Sequence, residues 1–233
     1  SLLPSPEALG AEPPILCEDF LHHIDSHAQR RLRELVETIF LSDDLLQRDA
    51  FLAGEIETPQ PIVLSADQVR DELPLPDSLA QPVQEADAAG RKVAGDAVWE
   101  AYYRHVAAVG ERLGSRFLQA WVGFEVGLRN ELAEARARSL ELEPADYFVA
   151  QDLSHLESDV TSVVNEWSSA PNPLQAQRVL DEARMAWLNE NDAYFSFGDD
   201  EVASYAAKLN LSVRWHRLQL ASEGKDGEGK DGE

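Results

Sequence analysis

The chain has 233 residues and carries 43 Asp and Glu against 20 Lys and Arg, a formal net charge of −23. That balance speaks against a nucleic-acid binder, which needs a basic stripe to displace counterions from phosphate, and it disfavours adhesion to anionic lipid. With 44% hydrophobic and 27% charged residues, the composition is that of a folded chain long enough to bury a sizeable core.

An acidic surface keeps molecules apart, and it permits a basic partner without demanding one. The single cysteine, Cys17, excludes an internal disulfide and a Cys-rich zinc site, and it fits a reducing cytoplasm. No apolar run approaches the ~20 residues of a membrane span. No basic segment with an apolar stretch behind it opens the chain, so a signal peptide is not expected.

In chain order, residues 1–16 hold four prolines and a glycine and read as an extended entry. Glu18 and Asp19 sit where carboxylates favour the start of a helix. Phe20, Ile24, Ala28, Leu32, Leu35 and Ile39 follow at helical spacing and predict one buried stripe. Ser42 before Asp43 and Asp44 looks like a cap that restarts a short helix to about Ala53. Pro59 and Pro61 make 54–64 a connector, with room for a short strand at Ile62–Leu64. Pro74, Pro76 and Pro82 divide 65–92 into short helical patches.

From Gly95 the pattern is strongly helical. Val98, Tyr102, Val106, Val109 and Leu113 form one stripe, and Phe117, Trp121, Phe124, Leu128 and Leu132 continue it. Gly110 and Gly114 are places for a kink or a division. Pro144 ends this region, a further helix is expected over about Leu153 to Trp167, and Pro171-Asn172-Pro173 makes a turn. Another helix then carries Leu174, Val179, Met185, Trp187 and Leu188. The last begins near Asp199 and Asp200, with Val202, Tyr205, Ala206, Leu209 and Val213 on one side.

Residues 223–233, EGKDGEGKDGE, have no apolar side chain and are expected to be disordered. The fold class is therefore all-α, a multi-helix bundle of two helical lobes, 1–93 and 94–222, followed by the acidic tail 223–233.

The sequence holds few signs of chemistry. Neither a P-loop nor a dinucleotide-binding glycine pattern is present, and no nucleophile elbow appears. Cys17 lies near His22 and His23 without an oxyanion-type glycine motif. His23 and His27 share one helix face, and Glu18 and His22 a neighbouring one. With Asp19 they still fall short of a zinc ligand set. The paired Glu-x-x-His motifs of helical di-iron bundles are absent. His105, His155 and His216 are isolated. No catalytic residue, cofactor or metal ligand is assigned.

The most distinctive segment is 117–148, FLQAWVGFEVGLRNELAEARARSLELEPADYF. Glu125 and Arg129 are spaced i, i+4 in the favourable orientation, border Trp121 and Phe124, and are expected to pair half-buried, with Asn130 next to them. These four residues, Trp121, Glu125, Arg129 and Asn130, are the candidates for a polar lock between helices or a partner contact. A lock is preferred to a catalytic role because no nucleophile or histidine sits within one turn.

Three stretches of the chain resemble a bacterial family encoded with V/A-type ATPases and related to the C (or d) subunit of those enzymes. SLLPSPEALGAEPPILCEDFL is similar to the family's "S-L-P … P-P-I-S … E-F-L" entry. WVGFEVGLRNELAEARARSLELEPADYF is similar to its "W-x-x-F-E-x-x-L-R-N-x-L-x-x-x-R-A-x-x-L" helix. RMAWLNENDAYFSFGDDEVASYAAKLNLSVRW is similar to its closing "W-x-x-L … F-F-x-x-x-x-V-x-x-Y-x-x-K-L-x-x-x-x-R-W" helices. The acidic tail is not part of the pattern.

The resemblance implies a non-catalytic, all-helical adaptor between the central shaft and the membrane rotor ring of a V/A-type rotary ATPase. Such a protein is cytoplasmic and reaches the membrane only through protein contacts. Two other readings stand beside it: a generic helical scaffold or regulator with an unrelated protein partner, and a helical carboxylate-metal enzyme.

Overall fold

The computed structural model describes residues 9–25, 30–88, 94–156, 160–192 and 198–228. The chain is all-α, and no strand occurs among the described residues. The helices are α1 (Cys17–Asp25), α2 (Arg30–Leu52), α3 (Ala66–Val69), α4 (Asp77–Ala88), α5 (Ala94–Leu113), α6 (Arg116–Ser139), α7 (Thr161–Ser169), α8 (Pro173–Asn191) and α9 (Asp199–Glu228). Two 3₁₀ turns, Pro144–Tyr147 and Gln151–Leu153, lie between α6 and α7.

The first stripe is seated as its spacing requires. Phe20 and Ile24 of α1 are buried with Leu32, Leu35 and Ile39 of α2, and the Phe20 ring meets Phe40 and Tyr205 at 6.4 and 5.2 Å. Ala28 lies outside the described residues, as does His27.

Helix α2 corrects the expected restart at Ser42. It runs unbroken from Arg30 to Leu52. The Ser42 hydroxyl donates back to the Ile39 carbonyl at 2.7 Å instead of capping forward, and Asp43 and Asp44 are buried at 1% and 0% exposure. Their carboxylates serve other parts of the chain. Asp44 accepts the backbone N–H groups of Ile62, Val63 and Leu64 at 2.8, 2.7 and 2.7 Å. Gln47 exchanges bonds with the backbone of Gln60 at 2.6 and 3.1 Å. The connector is thus fastened to α2 by side chains. The donors that a strand at Ile62–Leu64 would offer a neighbour are taken by one carboxylate, and that strand does not form.

Helix α3 opens on a capping box made by Ser65 and Gln68. Pro82 lies inside α4 instead of ending it, so that helix forgoes one backbone bond. Gly114 adopts a φ of +62°, the left-handed conformation that closes a helix and favours glycine. It ends α5, and Ser115 then caps α6 by accepting the Leu118 N–H at 3.1 Å. Asp200, in the first turn of α9, completes this corner. It takes the Ser115 hydroxyl at 2.6 Å and the N–H groups of Arg116 and Phe117 at 3.1 and 3.3 Å.

Helix α7 starts later than its pattern suggested. Residues 154–156 are extended and lie across α6, where Gly123 and Gly127 leave a groove. The His155 N–H donates to the Gly123 carbonyl at 3.0 Å. A Cβ at Gly127 would stand 2.5 Å from Leu156 Cγ. In the Pro-Asn-Pro turn, Asn172 caps α8 through the Gln175 N–H at 2.9 Å, with Pro173 as its first residue.

One cluster of buried side chains runs from Cys17 to Leu211 and draws on both of the expected lobes. Phe117, Trp121, Phe124 and Leu128 of the central stripe are in it, and Leu132 packs against it. Helix α9 continues to Glu228, into the segment expected to be disordered; 229–233 lie outside the described residues.

Candidate functional site

Of the four residues singled out in α6, Trp121, Glu125 and Arg129 are turned toward α5 and α8, while Asn130 is turned to the loop after the helix. Trp121 is buried and meets Trp187 of α8 at 5.3 Å and Phe124 at 5.8 Å, both rings tilted to its own, while Phe124 stacks on Trp187 at 5.1 Å. The expected Glu125–Arg129 pair is not formed. Glu125 instead takes a two-pronged bond from Arg184 of α8 at 2.7 and 3.2 Å. Arg129 turns the other way, to Asp96 in the first turn of α5 at 3.0 Å. Its guanidinium lies 5.1 Å from the Trp99 ring centre, and the Trp99 indole N–H donates to Asp49 at 2.8 Å.

Both acid–base contacts lie between helices. Glu125 finds in Arg184 a more buried cation than Arg129, 15% against 32% exposed, and a two-pronged one; Arg129 is left to Asp96. Asn130 fastens the loop after α6. Its carboxamide donates to the Val149 carbonyl and accepts the Val149 N–H, each at 3.0 Å.

The acid–base chain continues beyond Arg184. The same guanidinium donates to Asp181 at 3.2 Å, and Asp181, fully buried, also accepts from Gln177 at 3.0 Å and from Arg214 of α9. Glu125, Arg184, Asp181 and Arg214 thus tie α6, α8 and α9 together. Burial works against the charge on Arg184, but Glu125 and Asp181 outweigh it and hold its pKa above the ordinary value.

Beside this chain opens a cavity of about 490 Å³. Trp99, Tyr103, Trp121, Tyr147 and Trp167 supply aromatic wall, and Arg129, Arg136, Arg184 and Arg214 reach its lining. Burial pushes the Tyr103 phenol up to about 12 and that of Tyr102 further still, so both stay protonated at neutral pH. Tyr102 donates to the Thr38 carbonyl at 3.3 Å.

The other sequence candidates lie apart from the cavity. Cys17 is buried, and burial together with Asp43 pushes its thiol well above the usual range, away from nucleophile chemistry. His22 and His23 are exposed on α1. Burial lowers the pKa of His105. Among the described residues no three His, Cys, Asp or Glu side chains come together as a metal-ion cage.

Sequence reading did not single out Asp96, Asp181, Arg184 or Arg214. A signal for Asp181 and Arg184 was present in their i, i+3 spacing beside Trp187, but nothing local tells such a pair from a solvated one. No described helix is long and apolar enough to cross a membrane. Compared with models of protein families, with curated proteins and with solved structures, the chain has no significant match.

Proposed function

We propose that this chain is a non-catalytic adaptor of a V/A-type rotary ATPase, similar to the C (or d) subunit of those enzymes and linking the central shaft to the membrane rotor ring. The reading begins from the resemblance of the three sequence stretches. The structural observation that supports it is the use to which the polar residues of the central stretch are put. Glu125, Arg129 and Asn130 each fasten α6 to another element, and Trp121 and Phe124 pack on Trp187 of the closing stretch. Such residues stiffen a helical body, which is what a part that carries torque requires.

The adaptor would be cytoplasmic and peripheral to the inner membrane, held there by protein contacts. The net charge of −23 suits basic residues of the shaft or basic cytosolic loops of the ring. The test is co-purification of the full chain with co-expressed shaft and ring proteins. Retention at low ionic strength is expected. It should weaken as salt shortens the screening length from about 10 Å at 0.1 M to about 3 Å at 1 M. Absence of binding to either partner at low salt defeats the reading.

A further inference from the structure

We propose that the cavity between α5, α6, α8 and α9 is a binding site for an aromatic monoanion, a flat ring body bearing one carboxylate or sulfonate group. Such a site is independent of the rotary-adaptor reading. At about 490 Å³ the cavity lies within the ~300–1,000 Å³ range of small-molecule sites, and its lining has two parts that match the two ends of such a ligand.

The first part is cationic. Arg129, Arg136, Arg184 and Arg214 line the cavity against only two carboxylates, Asp96 and Glu125, with Asp181 behind the wall as a third. In a chain of net charge −23 this is a local reversal of sign. Three of the guanidiniums are held in place by those carboxylates. Arg136 differs: among the described residues it has no carboxylate partner, and its guanidinium lies 4.9 Å from the Trp167 ring centre. A guanidinium over an aromatic ring and without a carboxylate partner retains N–H donors that can take a carboxylate or sulfonate.

The second part is apolar and flat. Trp99, Tyr103, Trp121, Tyr147 and Trp167 line the wall. Leu140 and Leu142, also in the lining, are 66% and 44% exposed. Large aliphatic side chains left in water at the edge of an aromatic cavity provide an apolar path for a ring to enter. The acidic remainder of the surface repels anions, so anion binding to this chain requires a local site of this kind.

The test uses the full chain and two fluorescent probes of the same ring framework. 1-Anilinonaphthalene-8-sulfonate carries the negative group, and N-phenyl-1-naphthylamine lacks it. Saturable binding of one sulfonate probe per chain is expected, at least tenfold tighter than the neutral probe. Arg136→Gln should lower sulfonate affinity about tenfold and leave the neutral probe unchanged. Ala133→Trp, which fills the cavity, should abolish binding of both at an unchanged melting temperature. Since Arg136 is exposed, its variant decides the matter if the filled variant does not fold. The proposal is overturned by non-saturable binding, by equal affinity for the two probes, by an Arg136→Gln variant that binds like the parent, or by a folded Ala133→Trp variant that still binds.

Discussion

The contact between Glu125 and Arg184 lends itself to a quantitative test. The two side chains are 14% and 15% exposed and meet through two bonds of 2.7 and 3.2 Å. Removing one member of such a pair leaves the other as a desolvated charge, at a cost of about 3–5 kcal/mol. Glu125→Ala leaves Arg184 with Asp181 alone, and Asp181 is already shared with Arg214 and Gln177. Glu125→Ala is therefore expected near the lower end of that range. Arg184→Met is expected to cost at least as much, because Glu125 then loses the one cation it bonds among the described residues.

The double variant removes both charges at once. It should cost clearly less than the sum of the singles, with a coupling of about 2–3 kcal/mol. Urea unfolding followed by far-ultraviolet circular dichroism measures all four corners of the cycle. In a chain of this size a loss of 3 kcal/mol lowers the melting temperature by about 6–12 °C. Single variants that unfold within about 1 °C of the parent, or strictly additive costs, would refute the assignment of this pair as an inter-helix brace.

Two further outcomes follow from the packing of α2 and α6. Gly127→Ala gains about 1 kcal/mol of helix propensity, but its Cβ would stand 2.5 and 2.7 Å from Leu156 Cγ and Cδ2, overpacking that costs about 1–3 kcal/mol. Net destabilisation is expected, with recovery in the Gly127→Ala/Leu156→Ala double variant; a stabilising single variant counts against the groove. Burial pushes the Asp44 carboxyl up to about 6, against the lowering effect of its three backbone donors. The folded chain then keeps a proton that the unfolded chain has already released. This group's contribution is therefore most favourable at acid pH, declines as pH rises through about 4–6, and is flat above. Between about pH 4.5 and about pH 7 the stability difference between parent and Asp44→Asn should move by about 2 kcal/mol in favour of the variant. A difference that does not change with pH would show that burial does not govern Asp44.

The helix pattern was legible wherever apolar residues kept a period and a breaker stood at the end. Phe117, Trp121, Phe124 and Leu128 were placed in the core by spacing alone, and Gly114 and Pro171-Asn172-Pro173 marked real boundaries. What misled was local chemistry put to distant use. Ser42-Asp43-Asp44 has the composition of a cap, yet the flanking Ile39, Phe40, Leu41 and Leu45 are all buried. Acids set inside an apolar run signal carboxylates with distant partners more than a helix start. Those partners, Leu64 and Arg217, lie 20 and 174 residues away, beyond the reach of any local rule. The same limit applies to Glu125 and Arg129. Spacing shows that the two can meet, but not that Arg184 and Asp96, on other helices, take them instead.

The braces and the cavity share residues, and this bears on how the cavity persists. Arg129, Arg184, Asp96 and Glu125 both bind helices together and line the open space. A wholly apolar void of this size would cost stability in proportion to its volume and would favour collapse of the surrounding helices. Charged groups on the wall change that balance. Collapse would strip the guanidiniums of their remaining water, whereas an open, wetted cavity leaves them solvated on one side and paired on the other. The paired arginines therefore act as struts. On this argument, replacing Glu125 and Arg184 together by Leu and Met keeps the fold but allows the helices to close, and sulfonate-probe binding should fall even though the unpaired Arg136 is untouched.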